Sequence, residues 1–158
     1  MLLLIVATFA YSQEKMASPA AKAEGTAGKA KITIDYHQPQ MKGRKIMGGL
    51  VPYGEVWRTG ANETTTIEFS APVKVEGKDV PAGKYGLFTI PGENEWTIII
   101  NKGIKWGAYT YKQDEDVIRV AVKPTKTSAP VEAFTISVEK GQVVMKWENT
   151  QVAFNVKG

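Results

Sequence analysis

The residues of this chain with the clearest potential for chemistry lie together, in a stretch rich in glycine and proline between residues 36 and 62. Arginine can fork onto a carboxylate or a phosphate, and the flat faces of tyrosine and tryptophan can stack on a sugar ring. An amide side chain supplies both a donor and an acceptor. The candidate ligand-binding residues are Lys42, Arg44, Tyr53, Trp57, Arg58 and Asn62. They predict a site for a small polar or anionic ligand, or for a glycan.

The positive charge of the 158-residue chain is concentrated in the same region. Residues 29–58 carry six basic and two acidic side chains, which accounts for the whole formal net charge of +4. Six scattered basic groups make too weak a stripe for a phosphate backbone, so no nucleic-acid partner is expected. The alternative for Arg44 and Arg58 is structural, with each guanidinium buried and paired to a carboxylate. The candidate carboxylates for such pairs are Asp35, Glu63 and Glu68.

Strong catalytic and metal-binding patterns are absent from the sequence. His37 is the only histidine and there is no cysteine, which excludes cysteine-based and multi-histidine metal sites. No serine sits in a Gly-x-Ser-x-Gly elbow, and the acidic run at residues 114–116 lacks the spacing and the glycine of a calcium loop. We therefore expect no catalytic residue, no metal and no cofactor. An enzyme that uses carboxylates such as Glu55 or Glu63 stays open as an alternative.

The other three tryptophans fall into two groups. Trp96 and Trp147 are in phase with alternating apolar residues, which predicts core positions. Trp106 precedes a glycine and two nearby tyrosines. It would either line a groove with Trp57 or belong to an aromatic cluster that closes one end of the domain.

The elements that must position these side chains are β-strands. After residue 12 the chain has 14 Val, 11 Ile and 13 Thr but only two Leu, and β-branched side chains suit a pleated surface. Apolar and polar residues alternate in several short runs, separated by turn sequences such as Gly77-Lys78 and Lys140-Gly141. We expect one all-β domain, an antiparallel β-sandwich or jelly roll of about nine or ten short strands, with a closed β-barrel as the alternative. Residues 124–130, bounded by two prolines, are predicted to form a surface loop.

The first twelve residues have the pattern of a secretory signal peptide. Residues 2–10 are apolar or nearly so, and Ala10-Tyr11-Ser12 is a small-x-small cleavage pattern. The run is shorter than the ~20 apolar residues that span a bilayer, so no membrane span is expected. We expect a signal peptide at 1–12, a flexible leader at 13–28 and the sandwich domain at 29–158. The product would be a soluble, exported protein, either periplasmic or secreted.

Several motifs together resemble the bacterial domain of unknown function 2911 family, which consists of small exported proteins. The motifs are Tyr36-x-x-Pro39-x-x-Lys42-Gly43-Arg44, Gly49-x-Val51-Pro52-Tyr53-Gly54-x-Val56-Trp57-Arg58-Thr59-Gly60-Ala61-Asn62, Pro81-Ala82-Gly83-x-Tyr85, Trp96-x-x-x-x-Asn101 and Trp106-Gly107. The resemblance runs from about residue 28 to about residue 138 and brings no assigned activity. It implies that Lys42, Arg44, Trp57, Arg58 and Asn62 belong to one unit.

Three hypotheses about function follow. The first is a non-enzymatic binding domain for a small polar, anionic or glycan ligand, which predicts a concave, partly exposed site around Arg44, Arg58 and Asn62. The second is a structural or interaction module with an envelope protein as partner, which predicts buried arginine ion pairs and no cleft. The third is a hydrolase-type enzyme, which predicts two ionisable groups with shifted pKa values in one cavity.

Overall fold

The computed structural model describes residues 18–104 and 110–158, so the predicted signal peptide lies outside the described residues. The described chain consists of strands joined by turns, with a short 3₁₀ helix at Gln113–Glu115. The strands are β1 (Ala20–Ala27), β2 (Ala30–His37), β3 (Thr66–Phe69), β4 (Val73–Val75), β5 (Lys78–Val80), β6 (Gly83–Ile90), β7 (Trp96–Asn101), β8 (Asp116–Val122), β9 (Thr125–Glu139) and β10 (Gln142–Lys157). These ten agree with the expected number, although β9 and β10 are long, with 15 and 16 residues.

The strands form two antiparallel sheets that pack as a sandwich. The larger sheet has the order β1-β2-β3-β6-β7-β8 and the smaller one the order β5-β4-β10-β9. Alternate side chains of a strand point to one face, so each sheet presents an apolar inner face to the other. Large side chains of this core include Ile32, Ile34, Phe69, Leu87, Ile98, Phe134, Trp147 and Phe154. The predicted antiparallel sandwich is confirmed, and the closed barrel is wrong because the strands divide between two separate sheets.

Strand β1 occupies half of the segment, residues 13–28, for which the sequence predicted a flexible leader. It pairs with β2 along its whole length, from Ala20 opposite His37 to Ala27 opposite Ala30. A side chain at Gly25 would collide with Val138 of β9, and Ala27 is buried in the core. The prediction of a leader over 13–28 is wrong for these residues, because their small side chains allow close packing against β9. The described sandwich therefore includes β1 as well as residues from 29 onward.

The residues predicted to form a surface loop at 124–130 are mostly part of β9. Thr125 lies opposite Gln151 of β10, and Lys126 lies opposite Thr150. Strand β9 is at the edge of the smaller sheet. A proline is tolerated in an edge strand where its nitrogen, which has no hydrogen to donate, faces away from the neighbouring strand. Pro130 is therefore compatible with a strand at this position, which explains the difference from the prediction.

Part of the connection between β7 and β8 packs on the outer face of the larger sheet. Tyr111 contacts Phe88 of β6, with 5.0 Å between ring centroids. The Tyr111 hydroxyl donates to the Asp116 carboxylate, at 2.7 and 2.9 Å from its two oxygens, and accepts from Arg119 Nη2 at 2.8 Å. Burial, and then the hydrogen bond to Asp116, raise the pKa of Tyr111 to about 12. We call Tyr111, Asp116 and Arg119 the outer clasp.

Candidate functional site

The stretch of candidate residues forms a loop of 28 residues, 38–65, between β2 and β3. Its first part is anchored to β9 by main-chain hydrogen bonds from Met41 to Glu132 and from Phe134 to Pro39, each 2.9 Å long. The Glu132 carboxylate also accepts from the main-chain N–H of Lys42 at 3.0 Å. The loop therefore lies against the smaller sheet rather than extending into solvent.

The middle of the loop is held by Glu148 of β10. Its carboxylate accepts from the main-chain N–H groups of Ile46 at 2.7 Å and Met47 at 3.1 Å, and both of these side chains are buried. Glu148 has a φ of 54°, and the pairing of β9 with β10 shifts register on both sides of it. This is a β-bulge, which redirects a strand side chain. The bulge thus aims one carboxylate at two adjacent loop amides, a role that the sequence analysis did not predict.

The last part of the loop is a tight turn of residues 57–62. Trp57 pairs with Thr89 of β6, and its indole Nε1 donates to the main-chain carbonyl of Gly60 at 3.1 Å. Thr59 and Asn62 both have a φ of 59°, which is uncommon for residues other than glycine. Strained backbone of this kind is often found at functional sites, where the surrounding structure holds it in place.

A cleft of about 400 Å³ opens where the loop meets β10 and the chain just before β1. We call it the basic cleft. It is lined by Ser18, Pro39, Gln40, Lys42, Arg44, Leu50, Val51, Trp57, Arg58, Gly60, Ala61, Asn62 and Trp147. Three of these described residues are cationic and none is acidic. Five of the six residues predicted from the sequence are therefore brought together, Tyr53 being the exception.

Arg58 is the most buried of the three cations that line the basic cleft. Its side chain is half-buried, and its Nε is buried without a hydrogen-bond partner. Neither Arg58 nor Arg44 forms an ion pair within residues 18–104 and 110–158, where the pairs are Lys22–Asp35, Lys74–Asp79 and Arg119–Asp116. The buried arginine ion pairs predicted by the structural hypothesis are therefore not found in the described chain.

The other polar residues of the basic cleft also have defined positions. Arg44 is exposed and donates to two carbonyls of its own loop, from Nε to Met41 at 3.0 Å and from Nη2 to Gln40 at 2.7 Å. Asn62 donates from Nδ2 to the Ser18 carbonyl at 3.3 Å, which ties the turn to the chain before β1. Lys42 is exposed at the rim. Arg44 and Lys42 therefore add positive charge at the surface, while the charge of Arg58 lies deeper in the cleft.

The aromatic residues are not arranged as an open stacking platform. Trp57 stacks on Trp147 at 6.0 Å and meets Phe134 and Trp96 edge to face. Its rings therefore belong mainly to the core. Tyr53 lines a separate depression of about 590 Å³, where burial, and then Glu93 and Glu148, raise its pKa.

Other predicted features lie elsewhere. His37 lines a third cleft, of about 520 Å³, together with Asp35, Glu63 and Lys84. Trp106, which was expected to line a groove with Trp57 or to close one end of the domain, lies outside the described residues. In the described part of the chain, no three His, Asp or Glu side chains are grouped to hold a metal ion. In that same part no helix is long and apolar enough to cross a membrane.

Comparison with known proteins agrees with the resemblance noted in the sequence. The model of the family described as "Protein of unknown function (DUF2911)" matches residues 18–156. No curated protein and no solved structure matches the chain. The matched range begins at the first described residue and covers all ten strands of the sandwich except the last residue of β10. The chain therefore belongs to the DUF2911 family.

Proposed function

We propose that this domain is a non-enzymatic binding protein and that its basic cleft takes a small anionic ligand. The observation that carries the proposal is the buried Arg58 Nε, which has no hydrogen-bond partner in a cleft lined by three cations and no acid. Buried polar groups are nearly always paired, and an unsatisfied one costs about 1–3 kcal/mol. An anion bound to Arg58 would satisfy this donor.

The shape of the guanidinium indicates how the anion would bind. Nε and the adjacent terminal nitrogen of an arginine present two parallel N–H groups, which match two oxygens of a carboxylate or phosphate. Lys42 and Arg44 at the rim would raise the local concentration of anions by long-range attraction. Because these two side chains are exposed, salt would screen their contribution.

The other two hypotheses have less support. A structural module would use Arg44 and Arg58 in ion pairs, and no such pair supports it in the described chain. An enzyme would need ionisable groups with shifted pKa values within the cleft. Tyr111, whose pKa is raised to about 12, belongs to the outer clasp instead. A glycan that stacks on Trp57 would have to compete with Trp147, which already packs on that ring.

Export is part of the proposal. Its support is the apolar run at residues 2–10 followed by the cleavage pattern that ends at Ser12. The ligand would then be a molecule of the periplasm or of the surroundings of the cell.

The test is binding of acetate, hexanoate and inorganic phosphate at low ionic strength, followed by thermal shift and calorimetry. An anion present at one hundred times its dissociation constant stabilises the protein by about 2.7 kcal/mol, which raises the melting temperature measurably. Arg58→Gln should weaken binding by about tenfold or more, because a hydrogen bond to a charged group contributes ~1.5–3 kcal/mol.

The matched control is Lys31→Gln, which removes the same charge from an exposed position on the outer face of β2. It should bind anions as the unmodified protein does. No anion binding, or equal binding by both variants, would refute the proposed function.

A further inference from the structure

The lining of the basic cleft is not only cationic. Six of its residues are apolar, namely Pro39, Leu50, Val51, Trp57, Ala61 and Trp147. An inorganic anion would leave this apolar surface in contact with water. Small-molecule sites typically combine a largely apolar wall with a few placed polar groups, in volumes of about 300–1,000 Å³. The basic cleft has both properties, at about 400 Å³.

Leu50 is the most informative of these side chains. Its neighbours Ile46, Met47 and Val51 are buried, whereas Leu50 is 48 % exposed on the cleft wall. The main chain at this point is fixed by a hydrogen bond from the Leu50 N–H to the Lys45 carbonyl, 3.0 Å long. Leu50 therefore occupies a defined position beside the cations while contributing little to the core.

We infer that the ligand is an organic carboxylate with an apolar body, bound with its carboxylate on Arg58 and its body against Leu50 and the exposed part of Trp57. The inference rests on the proposed function, since it needs Arg58 as the anion site. It names a carboxylate because Arg58 is the only half-buried cation of the cleft, and this single positive charge is balanced by a singly charged group. Leu50 is then a specificity-determining residue.

The first experiment is a chain-length series by calorimetry, with acetate, butyrate and hexanoate at one ionic strength. Each added methylene should tighten binding by about three- to fourfold while it still contacts the apolar wall. Hexylamine, which has the same body and the opposite charge, should not bind. Hexyl phosphate is the comparison for the head group, and tighter binding of hexyl phosphate than of hexanoate would overturn the assignment of a carboxylate.

The second experiment is Leu50→Ser, with Ile104→Ser as its matched control. Both side chains are large, apolar and exposed, at 48 % and 51 %, but Ile104 lines the cleft of His37 instead. Leu50→Ser should keep the melting temperature and the affinity for acetate, and should bind hexanoate about tenfold more weakly. Ile104→Ser should leave both affinities unchanged.

The outcomes separate the two proposals. Equal affinity along the series, with Leu50→Ser behaving as the control, would overturn the carboxylate inference. The proposed function would still stand if Arg58→Gln weakened binding of every anion of the series by about tenfold or more. If none of the anions binds, both the carboxylate inference and the proposed function are refuted.

Discussion

Replacement of Glu148 should release the middle of the 38–65 loop from the sandwich. The carboxylate accepts from two adjacent amides, of Ile46 and Met47, at 2.7 and 3.1 Å. Glu148→Gln keeps one acceptor oxygen, but its amide group places a donor opposite the second N–H. Glu148→Ala removes both acceptors and leaves both loop amides without a partner in the protein. The two variants therefore form a graded series.

The size of the effect follows from the number of bonds lost. A hydrogen bond to a charged group contributes about 1.5–3 kcal/mol, so Glu148→Gln should lower the free energy of unfolding by about that amount. Two lost bonds would sum to about 3–6 kcal/mol, but Glu148 is only half-buried and water can replace part of them. We therefore expect a loss of about 3 kcal/mol for Glu148→Ala.

Urea unfolding measures these differences directly. With a slope of about 2 kcal/mol per molar urea, Glu148→Ala should lower the midpoint by about 1.5 M. Glu139→Gln is the control, because Glu139 is an exposed residue of the same hairpin. Glu148→Ala should also weaken acetate binding, although Glu148 does not line the basic cleft. If both Glu148 variants unfold at the midpoint of the control, the anchoring role assigned to this carboxylate is refuted.

Three further predictions concern other parts of the chain. Gly60→Ala should lower the free energy of unfolding by about 2 kcal/mol or more, measured in urea, because Gly60 has a φ of 150° and a Cβ would lie 3.0 Å from the His37 carbonyl. Tyr111→Phe should be less stable than the unmodified protein up to about pH 10. Folding raises the pKa of Tyr111 to about 12 and so favours the neutral phenol, hence this advantage should shrink between pH 10 and 12 in urea unfolding at each pH. Exported protein, analysed by intact mass and N-terminal sequencing, should begin at Gln13, and a chain that retains residues 1–12 would contradict this.

The fold could be predicted because it depends on a repeated local pattern. Ile32, Ile34 and Tyr36 alternate with polar residues, and all three are buried in the core of the sandwich. Arg58 and its neighbours could be grouped because they lie close in sequence, in a loop whose glycines and prolines exclude regular strands. Their grouping could be predicted from the bounds of that loop, whereas the contribution of Ser18 and Trp147 to the cleft depends on residues outside it.

Two features depend on contacts between distant residues and were not predicted. Strand β1 is rich in alanine, and its Gly25 packs closely against Val138 of β9. Such small residues in isolation are typical of a flexible segment. Glu148 was not recognised, although the sequence contains its signal. The residues of β10 in the hydrophobic core change from odd positions, ending at Trp147, to even positions, beginning at Val152. Such a change of phase within one strand requires a bulge.

The anchoring of the loop also determines the point during synthesis at which the loop can take its final position. Ribosomes synthesise the loop well before the residues that hold it, since Glu132 follows Lys42 by 90 positions and Glu148 follows Ile46 by 102. A nascent chain that ends before β9 has Arg44 and Arg58 but lacks both anchors and also Trp147, which lines the cleft. If the basic cleft binds an anion as proposed, capture of that anion would be possible only after β10 has been added. A copy truncated or cleaved ahead of β9 would be inactive as a binder, even with the whole loop intact.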